Sequence, residues 1–199
     1  MPTNEPTDSE KYLLGLTTTD QETLRTLANH PDRFVRARVA SNKHTPTDIL
    51  KKLSTDPDIG VRASVASNEK TSPALLAQMI ERALYGGDTT SIVLSAIAAN
   101  PRTPTDFLEN LFVQSVYWGV RIGLAGNPAT SHKVLKKLSE LPIEKTANIA
   151  DANKEIREVA MSRLKGGLPC GSASKRADAV ADPDNSAVPK KETNSRNGL

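Results

Sequence analysis

The sequence predicts an all-α protein, an α-solenoid of stacked helix pairs. Three observations predict it. An eight-residue phrase ending in Asn recurs four times. A second phrase, with apolar residues at helical spacing, follows each of those asparagines. Aromatics are only 4% of the chain and hydrophobics 37%, so the core is built from Leu, Val, Ile and Ala. Such side chains suit small, closely stacked helices better than a large sandwich.

The chain opens on MPTNEPTDSEK, which is polar and acidic. It lacks the basic start and apolar run of a signal peptide. Residues 1–10 are expected to be a flexible N-terminus, 11–165 the helical repeat domain and 166–199 a disordered tail. The stretch TTTDQETLRTLANHPD is a degenerate half-unit that places Leu24 and Leu27 where later units carry Leu50 and Leu53. Thr19 and Asp20 begin its helix. Terminal units of an array are expected to be atypical, because their outer face meets water.

The first phrase reads VRARVASN from Val35, VRASVASN from Val61, VLSAIAAN from Val93 and VRIGLAGN from Val120. It closes on Asn42, Asn68, Asn100 and Asn127, with Ala two residues before each. Each block leaves room for about two turns. A helix that short is held only by its neighbours and is expected to be partly 3₁₀.

The second phrase reads KHTPTDILKKL, EKTSPALLAQM, PRTPTDFLENL and PATSHKVLKKL. Its apolar pairs are Ile49-Leu50, Leu75-Leu76, Phe107-Leu108 and Val134-Leu135. Leu53, Met79, Leu111 and Leu138 each follow three residues later, completing one helical face. Thr45 before Pro46 and Thr103 before Pro104 are read as N-caps, with Asp48 and Asp106 in the first turn. These helices should start near residues 46, 72, 104 and 131. The Asn-to-Asn intervals are 26, 32 and 27 residues. The excess in the middle falls around YGGDTT, expected to be a loop after a lengthened helix. DANKEIREVAMSRL is a closing half-unit in which Asp151, Ile156 and Arg157 match Asp56, Val61 and Arg62.

Over residues 30–54 and 56–79, phrases such as DPDIGVRASVASNEKTSPALLAQM resemble the leucine-rich repeat variant family, a relative of HEAT-type helical repeats. The resemblance extends more loosely over Leu16 to Leu164. It implies alternating short 3₁₀-like and α-helices in a right-handed superhelix. Some members hold a cysteine-bound iron–sulfur cluster ahead of the repeats. The one cysteine here, Cys170, lies behind them, so no such cofactor is expected.

Two residue columns invite a functional and a structural reading. Arg36, Arg62, Arg121 and Arg157 share one slot. They are either a basic ridge for phosphates or inter-unit ties to carboxylates and helix-end carbonyls. Asp56 and Asp151 stand six residues before Arg62 and Arg157, whereas His30 and Ser115 hold that place before Arg36 and Arg121. Asn42, Asn68, Asn100 and Asn127 form the second column. It is expected to be a structural ladder, in which Asn adopts the left-handed conformation that ends a helix and its amide satisfies backbone groups.

Trp118, the only tryptophan, precedes its unit's first helix and is either a binding anchor or a core plug. His30, His44 and His132 lack zinc-ligand spacing, and no G-x-S-x-G occurs. The expected function is therefore non-enzymatic: a bacterial, cytoplasmic protein-interaction module or scaffold without metal, cofactor or membrane span. Its contact surface is expected on the short helices and inter-unit turns, with Arg33, Arg38, Ser64 and Trp118 as members. The alternative partner is nucleic acid. HEAT-like DNA glycosylases are also small helical arrays, and their grip is Arg-lined. A structural accessory subunit of a larger complex is a further alternative. From Gly166 onward, five basic and four acidic residues nearly balance, so the tail is not a polybasic arm.

Overall fold

The computed structural model describes residues 6–85, 91–114, 117–142 and 147–166, with side chains in the last segment described from Asn153 onward. Among these residues every regular element is an α-helix. In order they are α1 (Asp8–Thr17), α2 (Gln21–Leu27), α3 (Arg33–Ser41), α4 (Thr47–Leu53), α5 (Ile59–Ser67) and α6 (Pro73–Tyr85). Then come α7 (Ser91–Ala99), α8 (Thr105–Gln114), α9 (Trp118–Gly126), α10 (His132–Ser139) and α11 (Ala147–Leu164).

The odd-numbered helices form one row, in which α1 packs on α3, α3 on α5, α5 on α7, α7 on α9 and α9 on α11. The even-numbered helices form a second layer, each set against its neighbours in the row. Four of the row helices, α3, α5, α7 and α9, have nine residues each. They are α-helical throughout, so the expected 3₁₀ character is corrected. The reason is lateral: each is clamped between two others, which supplies the packing that an isolated helix of this length lacks.

The core follows the repeated phrases. Val35, Val39, Val61, Val65, Ile97, Leu124, Leu50, Leu76, Leu108 and Leu138 are all fully buried. Removing each such side chain from water contributes about 1.5–3 kcal/mol. Leu24 and Leu27 are buried as well, so the opening half-unit joins the same core. At α9 the helices come closer still. A Cβ on Gly123 would lie 3.0 Å from Ala98 Cβ, so glycine permits the approach of α9 to α7.

The N-terminal boundary shifts. Residue 11 lies inside α1, which begins at Asp8 behind a capping box between Thr7 and Glu10. Residues 1–5, the Gly86–Thr90 part of the expected loop, and the tail from Gly167 with Cys170 lie outside the described residues. The closing half-unit is not a short helix. It is the end of α11, an 18-residue helix in which Asp151 is internal.

Each row helix ends in the same hydrogen-bonded device. Asn68 shows it fully. Its Nδ2 donates to the carbonyls of Ala40 and Asn42 in the preceding unit at 2.7 and 3.0 Å. Its Oδ1 accepts from Lys70 N at 2.9 Å. Asn42 does the same with Gly15, Thr18 and His44, and Asn100 with Ala66, Asn68 and Arg102. Asn127 repeats it with Ala98, Asn100 and Ala129. All four asparagines are buried. Their backbone is extended, not left-handed: Asn68 has φ −72° and ψ 124°. That corrects the expected geometry. An extended Asn leads the chain directly into the next helix while its amide reaches sideways.

Threonine completes the device in the opposite sense from the expected one. Thr45, Thr71, Thr103 and Thr130 do not cap the following helix. Each hydroxyl donates backward to the carbonyl of Val39, Val65, Ile97 or Leu124, at 2.5, 2.5, 2.6 and 2.7 Å. Those carbonyls belong to the last turn of a helix and lack an intrahelical partner of the usual kind. The even helices accordingly begin at Thr47, Pro73, Thr105 and His132, one residue later than expected. Pro46 is the N-cap of α4, without a side-chain bond, while Ser72 and Ser131 accept from Leu75 N and Val134 N.

The ladder has dedicated ends. Thr18 takes the Asn place in the opening half-unit, where its Oγ1 accepts from Asp20 N at 3.1 Å. At the other end Arg163 occupies the slot six residues after Arg157, as Asn68 follows Arg62. Its Nη1 donates to the carbonyls of Ala125 and Asn127 at 3.0 and 2.5 Å. Burial holds the Arg163 guanidinium below its ordinary pKa.

Substituting Asn68→Ala removes both inter-unit donors and should destabilise the fold by about 2–4 kcal/mol in urea titration. Thr18→Ala deletes one exposed bond and should cost no more than about 1 kcal/mol in the same assay. Equal losses for the two variants would mean that the ladder does not bind the units together.

Candidate functional site

The turns between units place charged residues in a fixed pattern. Asp32 and Asp58 cap α3 and α5 by accepting from Phe34 N and Val61 N. Asp56 accepts from Asp58 N at 2.9 Å, and His30 Nδ1 does the same for Asp32 N at 3.2 Å. The Arg slot closes on these turns. Arg36 Nη1 donates to the carbonyls of His30 and Pro31, while its Nε and Nη2 grip the two oxygens of Asp56 at 2.7 and 2.9 Å. Arg36 thus ties the turn before its own helix to the turn of the next unit. Arg62 Nη1 repeats the first half, on Asp56 and Pro57.

The slot then diverges. It holds Leu94 in α7, fully within the core. Arg157 donates to Leu141 O at 3.1 Å, outside the pattern because α11 runs straight through the place of the turn. Arg121 Nε is buried and has no hydrogen-bond partner among the described residues.

Burial pushes the Asp56 carboxyl up, but hydrogen bonds from Arg36 and Asp58 N outweigh it and leave the pKa lowered. Arg36 is raised in turn, first by its hydrogen bond to Asp56. The exposed pair of Arg25 and Asp48 links α2 to α4, and Lys52 reaches Asn29 beside it. Glu109 takes Ser131 Oγ at 2.7 Å between α8 and α10. An open groove of about 390 Å³ between α4 and α6 is lined by Thr47, Asp48, Lys51, Lys70, Ser72 and Gln78. Its Asp48 is held by Arg25 and its Ser72 caps α6.

Some of the exposed apolar side chains lie where the row helices begin, while Leu13, Leu14 and Leu16 on α1 and Met161 on α11 are exposed elsewhere. The first residues of α3, α5, α7 and α9 are Arg33, Ile59, Ser91 and Trp118, and the second are Phe34, Gly60, Ile92 and Gly119. Phe34 is 56% exposed, Ile92 49%, Trp118 38% and Tyr117 42%. Tyr85 and Val113, near the ends of α6 and α8, are exposed on the same edge of the array. Arg33 lies here too, 3.2 Å from Asp58 and 4.8 Å above the Phe34 ring. Of the four expected contact residues, the edge therefore brings Arg33 and Trp118 together with Phe34, Ile92 and Tyr117. Arg38 lies elsewhere, half-buried and bonded to the Tyr12 hydroxyl, with its guanidinium 4.3 Å above the Tyr12 ring. Ser64 is half-buried in the matching position of α5. Ile92 was missed by sequence reasoning, although it occupies the Phe34 slot.

The family model of the leucine rich repeat variant matches residues 33–58. That span runs from the first residue of α3 to the N-cap of α5, one complete unit with its Asn and Thr device. No curated protein and no solved structure matches the chain. The chain thus contains a leucine rich repeat variant repeat, and the units at α5, α7 and α9 carry the same ladder beyond it. Among the described residues no helix is long and apolar enough to cross a membrane.

A carboxylate whose folded pKa is lowered stabilises the fold above its unfolded pKa and loses that stabilisation as pH falls through the folded value. Asp56 should therefore make the urea midpoint drop as pH falls from about 5 to 3. Asp56→Asn should lower the midpoint at neutral pH and flatten that acid slope. An unchanged slope would remove Asp56 as its source.

Proposed function

We propose that this protein is a non-enzymatic interaction scaffold whose units wind as a right-handed superhelix, and that it holds a partner protein along the edge where the row helices begin. The observation that carries this reading is the set of exposed apolar side chains Phe34, Ile92, Tyr117 and Trp118 at the starts of α3, α7 and α9. Exposed apolar side chains in one line favour a protein contact, and aromatic residues are frequent anchors of such contacts. The repeated polar residues support it from the other side. The asparagines and threonines are occupied with backbone groups of the array, so their periodicity serves the fold. Arg36 has its Nε, Nη1 and Nη2 engaged by Asp56 and two carbonyls, which leaves little for a phosphate. The scaffold acts in a reducing compartment, the bacterial cytoplasm, in keeping with a single cysteine.

Ile92→Ser combined with Trp118→Ala should abolish retention of a stoichiometric partner from host lysate while leaving the melting temperature within about 2 °C of wild type. Retention unchanged by the double substitution would move the contact off this edge. A mobility-shift titration with duplex DNA at low salt should show no complex. A complex lost steeply with salt would favour nucleic acid instead.

A further inference from the structure

We propose that the groove between α4 and α6 docks an acidic segment of a partner protein, whose carboxylate takes Lys51 and Lys70. This is a second contact, between even-numbered helices and away from the starts of the row helices. It shares with the scaffold reading only that the ligand is a protein.

The neighbouring junctions show what belongs there. In the even-numbered helices, the residue after a buried leucine pairs with the residue two places before the matching leucine of the next unit. After Leu24 comes Arg25, and its partner is Asp48, two places before Leu50. After Leu108 comes Glu109, and its partner is Lys133, two places before Leu135, at 3.7 Å. Both junctions are tied by opposite charges, with the signs exchanged. Between α4 and α6 the first place is Lys51, but the second is Ala74. The carboxylate that would close this junction is reduced to a methyl group, and the groove of about 390 Å³ opens there. Residues 47–78 are described throughout, so the acid is absent from the junction itself. Lys70 lines the groove from the turn before α6. Lys51 and Lys70 are exposed, and neither side-chain amine has a partner among the described residues.

An incoming carboxylate thus meets two solvent-accessible ammonium groups, in the place where Asp48 meets Arg25 one junction earlier. Charge-assisted hydrogen bonds from both are the strongest contact the groove offers. Ala74 and Leu75 add apolar wall and Gln78 an amide, which suit the peptide chain on either side of the acid. Two lysines over one short groove match one or two carboxylates, whereas a duplex backbone spreads its charge over a much longer track.

The probe is a fluorescein-labelled hexaglutamate peptide, titrated by anisotropy against the full chain at low salt, with hexaglutamine as its uncharged counterpart. Hexaglutamate should bind, and hexaglutamine should bind at least about tenfold more weakly. Lys51→Met with Lys70→Met should weaken hexaglutamate by at least about tenfold. Lys136→Met with Lys154→Met removes the same charge elsewhere and should change binding by less than about twofold. Ala74→Asp restores the junction's own carboxylate. It should weaken the probe as much as the Lys51 and Lys70 changes do, while melting no lower than wild type. No binding of hexaglutamate, equal weakening by the two lysine pairs, or undiminished binding by Ala74→Asp would overturn the proposal. A short DNA duplex that bound more tightly than hexaglutamate through Lys51 and Lys70 would also overturn it, in favour of nucleic acid. The chain's own Asp178, Asp182 and Asp184 are the other acidic occupant. If changing all three to Asn tightened hexaglutamate binding by about tenfold or more, the tail would hold the groove and the partner assignment would fail. Ile92→Ser with Trp118→Ala should leave hexaglutamate binding unchanged, so this contact and the edge contact fail separately. A loss in that variant would place the probe on the edge and remove the groove as its site.

Discussion

Stacking short helices creates one recurring difficulty, the carbonyl groups left at each helix end. In a row of nine-residue helices a large share of the backbone lies near a terminus, where intrahelical partners run out. Packed against neighbours, those carbonyls cannot all turn to water, and an unmade buried bond is expensive. The asparagine amide answers this with two donors aimed at the preceding unit and one acceptor aimed at its own turn. The threonine hydroxyl closes the same helix end from within the unit. Apolar packing brings the helices together, and the ladder sets their register.

This explains how units of unequal length share one array. Successive asparagines are 26, 32 and 27 residues apart, yet each makes the same two inter-unit bonds. The extra residues lengthen α6, which has 13 residues where α4 has seven, and leave the ladder bonds at the ends of the row helices unchanged. The ends are solved by substitution. Thr18 keeps only the acceptor, and Arg163 keeps only the donors, reaching Asn127 with a longer side chain. Thr18, the first of the series, keeps the bond to its own turn, and Arg163 keeps the donors to the preceding unit.

Because the invariant slots serve the fold, distinctive chemistry is left to the slots that differ between units. The starts of the row helices read Arg33-Phe34, Ile59-Gly60, Ser91-Ile92 and Trp118-Gly119. The Arg slot changes from a bidentate tie at Arg36, to an apolar plug at Leu94, to a guanidinium with a buried unpartnered Nε at Arg121. An array built this way can alter one edge residue by residue without disturbing the ladder, since the two lie at opposite ends of the same helices.

The sequence by itself determined the all-helical repeat, the apolar residues of its core and the asparagine column, because burial within a unit follows the 3.6-residue period and that period is visible in one chain. Leu24, Leu50, Leu108 and Leu138 are buried where the spacing places them. Only the tertiary structure decided the direction of the bonds. Thr45 next to Pro46 has the local signature of an N-cap, yet its hydroxyl serves Val39 O behind it. Arg38 resembles an exposed basic residue until Tyr12 covers it, and Arg36 and Arg121 share a slot but not a partner. Which acceptor a polar side chain meets depends on where a neighbouring unit places its carbonyls and carboxylates. That placement arises from stacking and has no signature in the residues on either side.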